Sequence, residues 1–215
     1  QIVAGVAHEI NQPVAAIRTY ADNGARFLER DRPDDARENM GLIVGLADRI
    51  GAITAELKAF ARRKVPASGS VPLGAVIDGV GLLLGERLRG MVAFDLTEAQ
   101  RAMTVIGDRI RLEQVLINLI QNAIEAVADT PDPTVRVSAE PIDADRLAVR
   151  VADNGPGITA EIGDTLFAPF ASAKPNGLGL GLAIARDIAR GFDGDLTLES
   201  NGPDGATFCL TLRRA

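Results

Sequence analysis

The sequence predicts an α+β chain, two helices followed by an antiparallel or mixed sheet with helices on one face. Three observations predict it. A 3.5-residue apolar repeat fills the first sixty or so positions, the period of a coiled-coil-like seam. Beyond about residue 70, short apolar runs of strand length mix with longer helical ones. Between them lies a stretch that is basic and then rich in proline and small residues.

In the first part, Val3, Ala7, Ile10, Val14, Ile17, Ala21, Gly24 and Leu28 recur at alternating steps of four and three. Asp31-Arg32-Pro33-Asp34-Asp35 breaks that pattern, and proline with acidic residues suits a new helix N-terminus. The second helix repeats the signal through Ile43, Leu46, Ile50, Ile53, Leu57 and Phe60. Two helices joined by a short turn form an antiparallel hairpin. One hairpin cannot enclose its own seam, so two copies are expected to pair as a four-helix bundle, a homodimer through residues 1–64. Arg62-Arg63-Lys64-Val65-Pro66-Ala67-Ser68-Gly69-Ser70 reads as connecting chain, with the linker proper at 65–70. The second domain, 71–215, is predicted to hold helices at Leu73–Leu88, Arg109–Ala128 and Leu180–Ala189. Its strands are predicted at Val92–Leu96, Met103–Ile106, Thr134–Ala139, Leu147–Val151, Asp195–Glu199 and Thr207–Leu212.

Composition narrows the function. The chain has 215 residues, a formal net charge of -6, 47% apolar and 24% charged residues. That balance fits a soluble globular protein and argues against a nucleic-acid or anionic-membrane surface. An anionic ligand would have to be held by backbone amides, a metal ion and a few local cations. The one cysteine, Cys209, excludes an internal disulfide and fits a reducing compartment. No apolar stretch approaches the ~20 residues of a membrane helix. Gln1 stands inside a helical pattern without an initiating methionine, so the chain is expected to be a fragment whose sensing part lies elsewhere.

Six motifs carry chemistry. The one histidine, His8, opens His8-Glu9-Ile10-Asn11-Gln12-Pro13. Ala7 and Ile10 point inward, so His8 falls on the flank of the bundle, where an ordinary surface histidine is the default. Glu9 can hold a ring proton and make the other nitrogen more nucleophilic. Pro13 removes the amide that would bond the Glu9 carbonyl, at a cost of about 3 kcal/mol in a helix interior. Further on, Gln114, Asn118, Asn122 and Glu125 share the polar face of one helix, opposite Leu112, Val115, Leu116, Leu119 and Ala123. A solvated face is the usual reading, yet asparagines form helices poorly, and their oxygens suit Mg²⁺. Asp153-Asn154-Gly155-Pro156-Gly157 follows a strand; it is a good turn, and a strand-end aspartate can accept from an exocyclic amine. Gly177-Leu178-Gly179-Leu180-Gly181 opens a helix, where exposed amides and the helix dipole favour phosphate. It lacks the context of a dinucleotide-binding or P-loop motif. Between these two glycine motifs lies Leu166-Phe167-Ala168-Pro169-Phe170-Ala171-Ser172-Ala173-Lys174-Pro175-Asn176. Gly205-Ala206-Thr207 closes the set and equally suits a hairpin turn.

In this order the motifs resemble the core of a sensor histidine kinase, from Gly5 to Leu212. His-Glu-x-x-x-Pro resembles the phospho-acceptor box, and the run from His8 to Ala21 is similar to the subgroup that includes dicarboxylate-transport sensors. The asparagine helix resembles that of the Bergerat-type ATP-binding fold of gyrase, Hsp90, histidine kinases and MutL. The resemblance implies an α/β sandwich with a mixed sheet and three main helices. It implies autophosphorylation of His8 from Mg·ATP, with Glu9 and Gln12 beside it, and transfer to an aspartate of a response-regulator receiver domain. Asn122 is then the Mg²⁺ ligand, Asn118 lies by the phosphates, Asp153 reads the adenine amine, and Gly155 and Gly157 shape the pocket floor. Phe170 and Lys174 belong to the lid, Gly177, Gly179, Leu180 and Gly181 to the phosphate loop, and Thr207 to the last motif. The implied setting is the cytoplasmic kinase region of a membrane-anchored bacterial sensor, with no direct membrane contact by this stretch.

Two features depart from the family pattern. Gln12 replaces the threonine or asparagine linked to dephosphorylating the partner. Ala171, Ser172 and Ala173 replace an aromatic and threonines in the lid. Two rivals stay open. An ATP-hydrolysing switch of the same fold would carry a water-activating glutamate where Asn118 stands. A degenerate dimeric scaffold would bind nucleotide without transferring phosphate.

Overall fold

In the computed structural model the apolar repeat becomes two long helices, α1 (Ile2–Glu29) and α2 (Pro33–Ala61). The structure describes residues 2–61, 68–88, 90–159, 163, 165–171 and 179–215, and of residues 2–9, 52, 55–61, 86 and 87 the backbone alone. The chain divides into two compact units, one built on α1 and α2, the other on the sheet.

In the hairpin, α1 runs through Pro13 without a break. Asp34 and Asp35 sit in the first turn of α2, where the helix dipole favours negative charge. Arg32 pins the turn: its Nε and Nη2 donate to Asp35 at 2.8 and 2.7 Å, and its guanidinium lies 4.9 Å from the centre of the Phe27 ring. The helices pack closely at Gly24, which is buried beside Ala36 and Asn39. Asn39, itself buried, satisfies its amide on the Asp35 carbonyl at 2.8 Å.

The second unit begins with β1 (Gly69–Pro72) and α3 (Leu73–Leu84), followed by a 3₁₀ turn at Gly85–Leu88. Then come β2 (Val92–Asp95), α4 (Glu98–Arg101), β3 (Thr104–Gly107) and α5 (Arg109–Ala126). The last elements are β4 (Val135–Pro141), β5 (Arg146–Asp153), α6 (Gly181–Arg190), β6 (Asp195–Gly202) and β7 (Gly205–Arg213). Five strands form a mixed sheet in the order β2-β4-β5-β7-β6, in which β2 and β4 pair parallel and the other pairs antiparallel. The two-residue period puts Val135, Val137, Leu147, Val149, Val151, Leu210 and Leu212 on the core side, all 1% exposed or less. Against them α5 buries Leu112, Val115, Leu116, Leu119 and Ile120, and α6 buries Ile184 and Ala185. On the other face Arg150 donates to both Glu140 (2.6 Å) and Glu199 (2.5 and 2.9 Å). A surface network of that kind adds little stability per pair.

The differences from expectation have local causes. The helix predicted to Leu88 ends at Leu84, because Gly85 takes φ +50° and breaks the ladder. Gly69 and Ser70 are not linker: they belong to β1, which pairs with β3 in a separate ribbon, Gly69 opposite Gly107. Only Val71 of β1 is buried, so no apolar run announced it. Val65, Pro66 and Ala67 of the predicted linker lie outside the described residues. The short α4 was not predicted, although Thr97 and Gln100 cap it reciprocally: Thr97 N–H donates to Gln100 Oε1 (2.7 Å) and Gln100 N–H to Thr97 Oγ1 (3.3 Å).

Candidate functional site

Asp108 caps α5, accepting from Arg111 N–H at 3.0 Å, and the apolar stripe seats the helix on the core. That orientation leaves Asn118 and Asn122 half-buried on the opposite side, with Glu125 exposed beyond them. The Asn118 amide donates to the Gly181 carbonyl at 3.1 Å, tying the asparagine helix to the first residue of α6. Its carbonyl oxygen has no donor among the described residues. One turn on, the Asn122 amide has no partner among the described residues, so a hard oxygen donor stands available on this face.

Asp153 ends β5. Its Oδ1 accepts from Gly155 N–H (3.0 Å) and from Ala206 N–H of β7 (3.3 Å), while Oδ2 has no donor among the described residues. The glycines here are required by close approach. A Cβ on Gly155 would lie 2.8 Å from the Ala126 carbonyl oxygen, so the turn rests on the C-terminal end of α5. At Gly157, φ is +75° and a Cβ would overlap the Gly202 carbonyl. The turn is stitched down by Asn201, which accepts from Ile158 N–H at 2.7 Å and donates to its carbonyl at 2.8 Å. Asn154 accepts from Thr134 N–H at 2.8 Å and donates to the Asp132 carbonyl at 3.0 Å.

These contacts link Asn118 to Gly181, Gly155 to the end of α5, and Asp153 to the start of β7 beside the half-buried Thr207. Motifs separated by tens of residues meet at one end of the sheet unit. Gly179 has φ +63° and Leu180 is buried. Phe170 is half-buried with φ +68°. Lys174 and Gly177 lie outside the described residues. His8 and Glu9 are on α1, where the backbone alone is described, and Gln12 is exposed one turn further along that helix.

Sequence reasoning passed over Asn154 and Asn201, whose role is to hold the turn, and Arg186 with Asp195. The Arg186 Nε and Nη2 donate to Asp195 at 2.9 and 3.3 Å, and Arg190 donates to the same carboxylate at 3.0 and 3.4 Å. Arg186 foremost, with Arg190, holds the Asp195 carboxyl well below the usual carboxylate range against the opposing effect of burial. Two arginines four apart on one helix, with an aspartate opening the next strand, were the available signal.

Comparison with known proteins gives the same outline. A family model described as histidine kinase-, DNA gyrase B- and HSP90-like ATPase matches residues 107–215, and a His Kinase A (phospho-acceptor) domain matches residues 1–65. The C4-dicarboxylate transport sensor protein DctB of Rhizobium meliloti (strain 1021) is 49% identical over 216 residues, covering 100% of this chain and 34% of the relative. DctB of Pseudomonas aeruginosa is 35% identical over 212 residues, covering 97% of this chain and 35% of that protein. The chain therefore spans about a third of the length of these curated relatives. Among solved structures, histidine kinase ThkA in complex with response regulator protein TrrA aligns with a TM-score of 0.77 at 27% identity, over 99% of this chain and 61% of that one. No helix among the described residues is long and apolar enough to cross a membrane.

Proposed function

This chain belongs to the histidine kinase family, with a phospho-acceptor domain followed by an ATP-binding domain, and on that premise we propose that it transfers the γ-phosphoryl group of ATP to His8 and then to an aspartate of a response-regulator receiver domain. The observation that carries the reading is the Asn118–Gly181 tie, 3.1 Å long, which joins the asparagine helix to the helix opened by the glycine motif. The Oδ2 of Asp153, which has no donor among the described residues, supports adenine recognition: it is a half-buried acceptor at a strand end, suited to an exocyclic amine. The glycine motif at the N-terminus of α6 suits the phosphates.

In this reading a ring nitrogen of His8 attacks the γ-phosphorus while the bond to the bridging oxygen breaks and ADP leaves. Glu9 takes or holds the ring proton, and Gln12 lies one turn away. Asn118, with Gly177, Gly179, Leu180 and Gly181, lines the phosphates, Lys174 reaches them, and Phe170 and Thr207 flank the nucleotide. The donor set fits a hard cation: Asn122 would hold Mg²⁺, which neutralises phosphate charge when bound. Asn118 occupies the place where hydrolytic relatives of the fold need a base, and an amide does not activate water.

The proposed division is a phosphotransfer hairpin at 1–64, a linker starting at 65 and a catalytic domain reaching residue 215. The hairpin pairs with a second copy, and the chain works in the cytoplasm as part of a membrane-anchored sensor. ThkA, crystallised with a response regulator, supports the assignment of the partner class. The test is incubation with γ-labelled ATP and Mg²⁺, wild type beside His8→Gln. Label on wild type alone, lost in acid and stable in alkali, is expected. Free phosphate released equally by both would make the protein an ATPase, and bound nucleotide without label would make it a scaffold.

A further inference from the structure

Phe167 is the aromatic of the 165–171 turn that the sheet unit grips from two sides. Its ring meets Phe208 of β7 edge-on, with centroids 6.4 Å apart and planes at 90°. The Arg186 guanidinium lies over it, 4.5 Å from the centroid. That guanidinium is in turn oriented by the two-pronged contact with Asp195. Arg190 and Leu196 N–H fix the carboxylate itself. A planar cation whose fork is already engaged keeps one face for the ring, which a lysine ammonium would not do in the same way.

Two further observations tie this clamp to the nucleotide face. Arg186 sits on α6, five residues beyond Gly181, the residue whose carbonyl accepts from Asn118. Phe170, three residues after Phe167, holds φ +68°, a conformation that L side chains rarely adopt and that neighbouring structure must maintain. The clamp is partly exposed, with Arg186 27% and Asp195 36% accessible, so its effect on global stability is small. Its consequence is local order.

We propose that Arg186 is a positioning residue of the nucleotide site, seating Phe167 and through it the turn that carries Phe170. The proposal rests on the nucleotide reading above. The test is titration of a non-hydrolysable ATP analogue with Mg²⁺ into wild type, Arg186→Met, Phe167→Leu, the double variant and Arg186→Lys, with a thermal melt of each. Arg186→Met and Phe167→Leu should each weaken binding about three- to tenfold, as expected for a cation–π contact. The double variant should bind no worse than the weaker single one, because both changes break the same clamp. Arg186→Lys should recover part of the loss, since it keeps a cation by the ring. Unchanged affinity in Arg186→Met, with or without a lower melting temperature, would reduce the arginine to a structural ion pair and overturn the proposal. So would losses that multiply in the double variant. Wild type failing to bind the analogue would instead remove the nucleotide reading, and this inference with it.

Discussion

The two units treat their apolar residues in opposite ways. In the sheet unit Val80, Leu119, Ile120, Val137, Leu147, Val149 and Leu196 are fully inaccessible. Among the described residues of the hairpin only Ala36 and Ile53 join the buried apolar set, while Val14 (48%), Leu28 (56%), Met40, Leu42 and Val44 stay exposed. Among the described residues, one unit carries a finished core, whereas the other leaves much of its apolar surface uncovered. Burial is the main favourable term in folding, and the uncovered apolar residues of the hairpin fit the second copy proposed for it. The glycines tell the same story. In α2, Gly41, Gly45 and Gly51 have nothing within 4 Å of where a Cβ would go, whereas Gly157 and Gly205 abut backbone.

Glycine replacements give the sharpest break between the units. Gly205 has φ +127° and a Cβ there would overlap the Asp153 carbonyl. Gly205→Ala should cost more than about 2 kcal/mol and shift the strand end that bears Asp153. Gly41→Ala in the hairpin should instead gain about 0.5–1 kcal/mol, the helix-propensity difference. Urea unfolding read separately for each unit checks both signs; a stabilising Gly205→Ala would mean that the close approach is not real.

The unfinished hairpin surface gives the next test. Val14 and Leu28 belong to the α1 repeat and are exposed in the single chain. In the proposed dimer they enter the bundle. Val14→Asp with Leu28→Asp would place unpaired carboxylates there, at several kcal/mol per buried ion, and should weaken dimerisation at least about a hundredfold. Light scattering at graded concentrations measures this, with the sheet unit's melting transition as the internal control. A dimer that persists puts the seam on another face.

How far the sequence foretold this contrast varies by residue. The α1 repeat was legible because a heptad pattern does not depend on what covers it; whether another copy does so is a separate matter. Helix α5 was legible end to end within two residues, since Asp108 caps it and its stripe follows the helical period. Strand β1 was not, because its pairing with β3 uses backbone alone and its side chains are mostly exposed. At the candidate site, Asn118, Asp153, Gly155 and Gly157 announced themselves as motifs, and the structure gives each a specific contact. Phe170 was singled out over Phe167, although Phe167 is the one that stacks. Sequence spacing reports which residues share an element, while Arg186, Phe167 and Phe208 meet across three.

The smallest expected effect concerns the polar face of the finished unit. Cys209 lies buried on β7, opposite Arg150 of β5 and Thr197 of β6 in the strand register. Burial pushes its thiol pKa up, the Glu199 carboxylate adds to the rise, and the Arg150 guanidinium opposes it. In the unfolded chain the thiol ionises near its ordinary value of about 8.5. The folded value is higher, so the contribution is fully present below about pH 8.5 and is lost as pH rises through the folded pKa. The sheet unit of wild type should therefore lose stability more steeply above that pH than Cys209→Ala, and the hairpin, which contains no cysteine, should show no matching difference. Melting curves from pH 7 to 10 on the two proteins measure it. Equal slopes would mean that the thiol ionises as readily in the fold as out of it, against the effect of its burial.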